Sequence, residues 1–209
     1  MRGVSDLFRV VVLASGNGTN LQALLDGFEE SEEVAIVGVG SDKPEAKALE
    51  RASVAGVESS TFLIDDFADR PARDGAMADW IESIRADLVV LAGYMQLLSP
   101  AFIARFRNRI INVHPALLPS FPGLDAVGQA LDAGVRITGV TVHFVDEGVD
   151  SGPVIIQRPL PVPPNRDRAE LEETIHKTEH SLLPQAVTLI AEGRVRIDER
   201  NPRLVVINE

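Results

Sequence analysis

Apolar positions along the chain fall either in short continuous runs or in stripes at helical spacing, and the two kinds alternate. Val10-Val11-Val12-Leu13 within residues 8–14 is too continuous for a half-exposed strand and suits one buried on both faces. Leu21, Leu24, Leu25 and Phe28 then recur at helical intervals. A second strand is expected over 34–39, ending at Ser41-Asp42. A helix is expected from about Pro44, because proline suits a first helical turn. Residues 57–63 read as a third strand. Residues 73–85 read as a helix with a core stripe of Ala76, Met77, Trp80, Ile81 and Ile84. A further buried run, 88–92, opens into Gly93-Tyr94-Met95-Gln96-Leu97-Leu98, and Ser99-Pro100 caps a helix over 101–106.

Ile110-Ile111 leads to Asn112 and His114, two polar groups on alternate positions and therefore on one side of a strand. Pro115, Pro119 and Pro122 stiffen the loop beyond. A helix near 125–132 precedes a strand with Val140, Val142 and Phe144 on one face and Thr141, His143 and Val145 on the other. Residues 154–160 pair back antiparallel. A long helix over 168–191 carries Leu171, Ile175, Leu182, Leu183, Val187 and Ile190, and short strands at 194–197 and 204–207 follow. The pattern is α/β, without linker or repeat, and a single domain is expected.

Composition narrows the classes of partner. No apolar run approaches the roughly 20 residues of a membrane span, and the stretch 1–9 does not read as a signal peptide. The absence of cysteine removes disulfides and thiolate metal sites and fits a reducing cytoplasm. The formal net charge of −11 opposes nucleic-acid binding, which rests on Lys and Arg neutralising phosphates. A small anionic ligand would need local donors instead of a basic patch.

Such donors have a candidate position. Ser15-Gly16-Asn17-Gly18-Thr19-Asn20 joins the first strand to the first helix, and glycines there let backbone N–H groups approach phosphate oxygens. It is not a P-loop, and Leu21 stands where a dinucleotide fingerprint has its third glycine. The plain alternative is a tight turn with Thr19 or Asn20 as cap. Asp42 sits about where a nicotinamide-binding fold has its ribose-binding acid. Tyr94 to Leu98 either lines a pocket for a flat heterocycle or packs on a helix. Residues 146–153 form a solvated turn or a metal loop, although the spacing does not fit a Ca²⁺ loop. Asn112 and His114 either satisfy neighbouring backbone or serve a ligand at the carboxyl end of a strand.

Four blocks together, 12–23, 92–95, 111–123 and 138–153, resemble the folate-dependent phosphoribosylglycinamide formyltransferases of purine (IMP) synthesis, nearly end to end. The resemblance implies a formyltransferase fold, a Rossmann-like, mostly parallel sheet with helices on both faces and antiparallel strands in the carboxyl-terminal half. Within one domain, 1–209, it implies a phosphoribosyl-substrate half at about 1–107 and a folate-binding and catalytic half at about 108–209. Gly18, Thr19 and Asn20, with Glu179 and His176, are expected to hold glycinamide ribonucleotide. Tyr94, Met95, Gln96, Leu97 and Leu98, with Asn112 and with Asp146, Glu147, Gly148, Val149 and Asp150, are expected to hold folate. An arginine that meets the folate matches Arg73, while an ungapped alignment gives Arg70.

The implied catalytic residues are Asn112, His114 and Asp150, with His143 supporting. An amine attacking a formamide creates an oxyanion and needs a proton on a poor leaving nitrogen. Asn112 can donate to the oxyanion, His114 can supply the proton, and Asp150 is expected to raise the His114 pKa. 10-Formyltetrahydrofolate would enter as co-substrate, no metal is required, and the protein would be cytoplasmic with neither nucleic acid nor membrane as partner. The sequence leaves the oligomeric state open, a homodimer included. The competing readings are a formyltetrahydrofolate deformylase or another formyl transferase on the same scaffold, a nicotinamide dehydrogenase, and a non-enzymatic ligand-binding protein.

Overall fold

The first apolar run forms β1 (Phe8–Leu13), whose Val10, Val11, Val12 and Leu13 are completely buried. β2 (Val34–Ser41) and β4 (Leu88–Leu91) flank it, both parallel to it, and β3 (Ser59–Thr61) runs parallel to β2. Hydrogen bonding continues through β5 (Ile110–His114), β6 (Ile137–Phe144) and β7 (Val154–Pro161), giving the order β3-β2-β1-β4-β5-β6-β7. β7 is antiparallel to β6, and β8 (Val195–Ile197) and β9 (Val205–Ile207) form a separate antiparallel pair. The mixed, mostly parallel sheet is the expected fold class. These observations come from a computed structural model that describes residues 7–208; most of the stretch 1–9, read above for a signal peptide, lies outside the described residues.

Two compact units divide the chain, Met1–Ile111 and Asn112–Glu209, with their boundary inside β5. In the first, α1 (Thr19–Phe28), α2 (Lys47–Val54), α3 (Arg70–Ser83) and α4 (Pro100–Arg105) bury Leu21 and Leu24, Ala48 and Ala52, Met77 and Ile81, and Phe102 respectively. In the second, α5 (Ala126–Asp132) buries Val127 and Ala130, and α6 (Arg168–Ala191) buries Leu171, Ile175, Leu182, Leu183 and Val187. Each large apolar side chain removed from water contributes about 1.5–3 kcal/mol. Among the described residues, no helix is long and apolar enough to cross a membrane.

Local chemistry moves several boundaries from where periodicity puts them. α2 begins at Lys47, not Pro44, because the Ser41 hydroxyl takes the Lys43 N–H at 3.1 Å and the Ala46 N–H closes a turn on the Lys43 carbonyl at 3.3 Å. Pro44 sits inside that turn. α3 begins three residues early because the Asp69 carboxylate caps it, accepting from Ala72 N–H at 2.8 Å, with Pro71 in the first turn. Its buried side includes Arg73 and Asp74, whereas Ala76 is only half-buried.

Gly38 and Gly40 leave room on β2 for the Trp80 side chain of α3, and Gly38 also for Ile84 just after it. A Cβ on Gly38 would lie 2.6 Å from Ile84 Cδ1 and 3.0 Å from the Trp80 ring. Gly38→Val is therefore expected to cost about 1–3 kcal/mol through overpacking, read as a lower midpoint in urea unfolding. An unchanged midpoint would contradict this close approach.

Candidate active site

Extended geometry carries Asn112 and His114 to one carboxylate, Asp150, from alternate positions of β5. Asn112 Nδ2 donates to Asp150 Oδ1 at 3.4 Å, and His114 Nδ1 lies 3.3 Å from Asp150 Oδ2. Gly123 N–H donates to the same Oδ2 at 2.7 Å, fastening the end of the proline-rich loop. His114 Nε2 lies 2.8 Å from the Phe121 carbonyl, and a carbonyl only accepts, so Nε2 carries a hydrogen. By the same logic His143 Nδ1 carries the hydrogen that the Phe144 carbonyl accepts at 2.8 Å. His143 Nε2 lies 3.3 Å from Asn112 Nδ2 and 3.6 Å from Asp150 Oδ1.

Burial dominates the proton affinity of His114 and holds its pKa below 6.5; the Phe121 carbonyl and the Asp150 charge oppose this, and His143 adds to it. Asp150 raises this pKa as expected, and burial outweighs that contribution. Burial also pushes the Asp150 carboxyl upward. The His143 imidazole, the Gly123 N–H and the charge of His114 together outweigh that and keep it below the usual aspartate range.

Phe121 at φ 57° and Asp150 at φ 50° both lie in the left-handed region. Aspartate tolerates this, whereas for phenylalanine it costs on the order of 1–2 kcal/mol. A residue before proline is expected to be extended, so neither the Phe121 conformation nor its carbonyl contact was visible in the sequence. The Gly123 N–H was equally hidden, since no local pattern marks it as a partner of residue 150.

The carboxyl-terminal unit closes the loop after β6 on itself. Asp146 Oδ1 accepts from Gly148 N–H at 3.0 Å and from the Ser151 hydroxyl at 2.7 Å. That leaves Glu147, Gly148 and Val149 exposed, Val149 at 57%. On α6, Glu179 is buried and His176 exposed. Among the described residues, no group of three or more His, Asp or Glu is arranged to hold a metal ion.

In the amino-terminal unit the strand order reverses between β1 and β4, which is where open sheets place ligand loops. Gly18 is the N-cap of α1 at φ 67°, with no side-chain capping bond, so neither Thr19 nor Asn20 is the cap. Ser15 joins this loop to the one after β4: its N–H donates to the Gly93 carbonyl at 3.1 Å, and its hydroxyl accepts from Met95 N–H at 2.9 Å. Tyr94 is buried, while Met95 and Leu97 are 60% and 63% exposed and Leu98 is intermediate. Gln96 donates to Asp42 at 2.9 Å.

Arg73 does not present its side chain to a ligand as expected. Its guanidinium is fully buried against Asp74 at 2.7 Å and reaches the Leu97 carbonyl at 3.4 Å, while Asp74 accepts from Ser99 N–H at 2.6 Å. It braces the exposed loop from within, and Arg70 is exposed.

The lowered His114 pKa makes a prediction about stability. The unfolded chain binds more protons at mildly acid pH, so this contribution is complete above about pH 6.5 and is lost as pH falls through the folded value. His180 shifts the same way, from burial and nearby His176, and leaves a residual slope. Thermal unfolding between about pH 8 and pH 5 is expected to show a smaller fall in Tm for His114→Gln than for the native protein. Equal falls would remove burial as the dominant influence on His114.

Known proteins resemble this chain along most of its length. The family model described as formyl transferase matches residues 8–187. A phosphoribosylglycinamide formyltransferase from Mycobacterium tuberculosis strain H37Rv is 44% identical over 189 residues, 90% of this chain and 87% of the relative. The trifunctional purine biosynthetic protein adenosine-3 of Drosophila melanogaster is 43% identical over 192 residues, 90% of this chain; the chain spans only 14% of that much longer protein. The crystal structure of glycinamide ribonucleotide transformylase 1 from Symbiobacterium toebii superposes with a TM-score of 0.94 at 44% identity, covering 100% of this chain and 96% of that one. The chain belongs to the formyl transferase family, in the branch formed by the phosphoribosylglycinamide formyltransferases.

Proposed function

We propose that this chain transfers the formyl group of 10-formyltetrahydrofolate to the glycinamide amine of 5'-phosphoribosylglycinamide, giving formylglycinamide ribonucleotide and tetrahydrofolate. The observation that carries the reading is the meeting of a carboxamide, an imidazole and a carboxylate in one cluster, Asn112, His114 and Asp150. Those are the groups a formamide transfer needs. The folate brings the one-carbon unit.

Asn112 stabilises the oxyanion. Its two N–H contacts, at 3.3 Å and 3.4 Å, are long enough for a stronger acceptor to take one over. His114 supplies the proton to the leaving nitrogen. Its Nε2 is engaged at 2.8 Å with the Phe121 carbonyl, so exchange runs through Nδ1, whose contact with Asp150 is longer. A lowered pKa leaves less imidazolium at neutral pH but makes that imidazolium the stronger acid, which suits a poor leaving group. Asp150, held ionised, favours the imidazolium and carries away the proton lost by the attacking amine.

Residue roles outside the cluster extend the same reading. Gly18, Thr19 and Asn20 take the ribonucleotide phosphate on backbone N–H groups, and Glu179 takes part in holding the same substrate. Met95 and Leu97 offer exposed apolar surface for the pterin, with Gln96 and Leu98 contributing backbone. The family resemblance assigns residues 146–150 to folate as well. Arg73 supports the 94–98 loop without meeting the folate. Within this chain the two halves work as one formyltransferase domain, in the cytoplasm.

Incubating the purified protein with 10-formyltetrahydrofolate, with and without glycinamide ribonucleotide, tests the assignment. Deformylated folate is expected only when both are present. Release of formate without the ribonucleotide would favour a deformylase, and no turnover a binding protein. Asn112→Ala is expected to lower turnover on the order of 100-fold, as for other single oxyanion donors. His114→Ala and Asp150→Asn are expected to lower turnover far more than they lower Tm; near-native rates in either would dismiss the assigned role.

A further inference from the structure

The glycine loop is gripped from one side by α2. Ala48 N–H donates to the Gly16 carbonyl at 3.2 Å, and Arg51 Nε donates to the Asn17 carbonyl at 2.8 Å. The Arg51 guanidinium is steadied in turn, its Nη1 donating to Gln22 Oε1 at 2.9 Å while Gln22 donates to Asp26 at 2.7 Å. Contact is close: a Cβ on Gly18 would lie 2.8 Å from the Ala48 Cα. The peptides 16–17 and 17–18 are trans, and in a planar trans peptide the C=O and N–H point in opposite directions. Two successive carbonyls drawn toward α2 therefore send two successive N–H groups, those of Asn17 and Gly18, the other way.

We propose that Arg51 is a positioning residue for the ribonucleotide phosphate: by holding the Asn17 carbonyl it aims the Gly18 N–H at the phosphate oxygens. The inference rests on the reading of this loop as the phosphate site. Arg51 acts through a peptide group it turns, and its charge lies behind that peptide, where it strengthens the N–H as a donor. In a protein of net charge −11 such a device replaces the basic patch that is absent from the loop itself, where 15–20 contains no Lys or Arg. Nothing in the local sequence signals it, because Arg51 is 34 residues from Asn17 and on another helix.

Two measurements on the full chain test this. Titrating inorganic phosphate into the native protein is expected to shift the Asn17 and Gly18 amide resonances, and Arg51→Met is expected to weaken that binding roughly tenfold. In steady-state assays the KM for glycinamide ribonucleotide is expected to rise by a similar factor, with the KM for formyl folate unchanged within about twofold. Arg51→Lys, which keeps the charge and a donor, is expected to fall between native and Met and guards against a folding defect in the Met variant. Phosphate affinity within twofold of native in both folded variants would overturn the role of Arg51. A parallel rise in both Michaelis constants would overturn it too, by marking a general structural effect. No amide response in the native protein would instead overturn the phosphate reading of the loop, and the inference with it.

Discussion

The organisation of the carboxyl-terminal site depends on one carboxylate, Asp150, whose two oxygens answer to different parts of the chain. Oδ2 takes the Gly123 N–H and faces His114, while Oδ1 takes Asn112 and lies 3.6 Å from His143. Each contact alone is modest, on the order of 1 kcal/mol for a neutral donor and more for a charged one. Their value lies in shared geometry, because a strand, a proline-rich loop and a hairpin loop are registered against the same two atoms. The left-handed backbone of Asp150 and of Phe121 is the conformational cost of bringing those groups to that point.

Burial gives the same cluster its chemical character. A half-exposed His-Asp pair would favour the imidazolium, as the bare residue types suggest. Enclosure reverses the balance for His114 while its hydrogen-bonding partners keep Asp150 ionised. The result is an imidazole whose protonated form is a stronger acid than free imidazolium, beside a carboxylate held in its charged form. In the amino-terminal unit the Gly16 and Asn17 carbonyls are held by the Ala48 N–H and the Arg51 guanidinium, so the N–H groups of the same peptides face away from α2.

Much of this was legible in the sequence where the signal is short-range. Continuous apolar runs found β1 and β4, alternation placed Asn112 with His114, and the Ser99-Pro100 cap fixed the start of α4. Signals that compete locally were misjudged. The Pro44 signal lost to a Ser41 side-chain turn, and the Asp69 cap outran the apolar stripe of α3. What remained hidden depends on distant partners: the Gly123 N–H on Asp150, the Phe121 carbonyl on His114, and the inward turn of Arg73 onto Asp74. An arginine next to an aspartate in sequence does not reveal that both will be sealed from water.

Ser15 bonds to the second loop of its unit through both backbone and hydroxyl, so the segment after β1 and the segment after β4 share an anchor. Quieting either one restrains the other's attachment point. Disorder surrendered by one segment need not be surrendered again by the other, so ordering of the two is coupled through entropy without any change of shape.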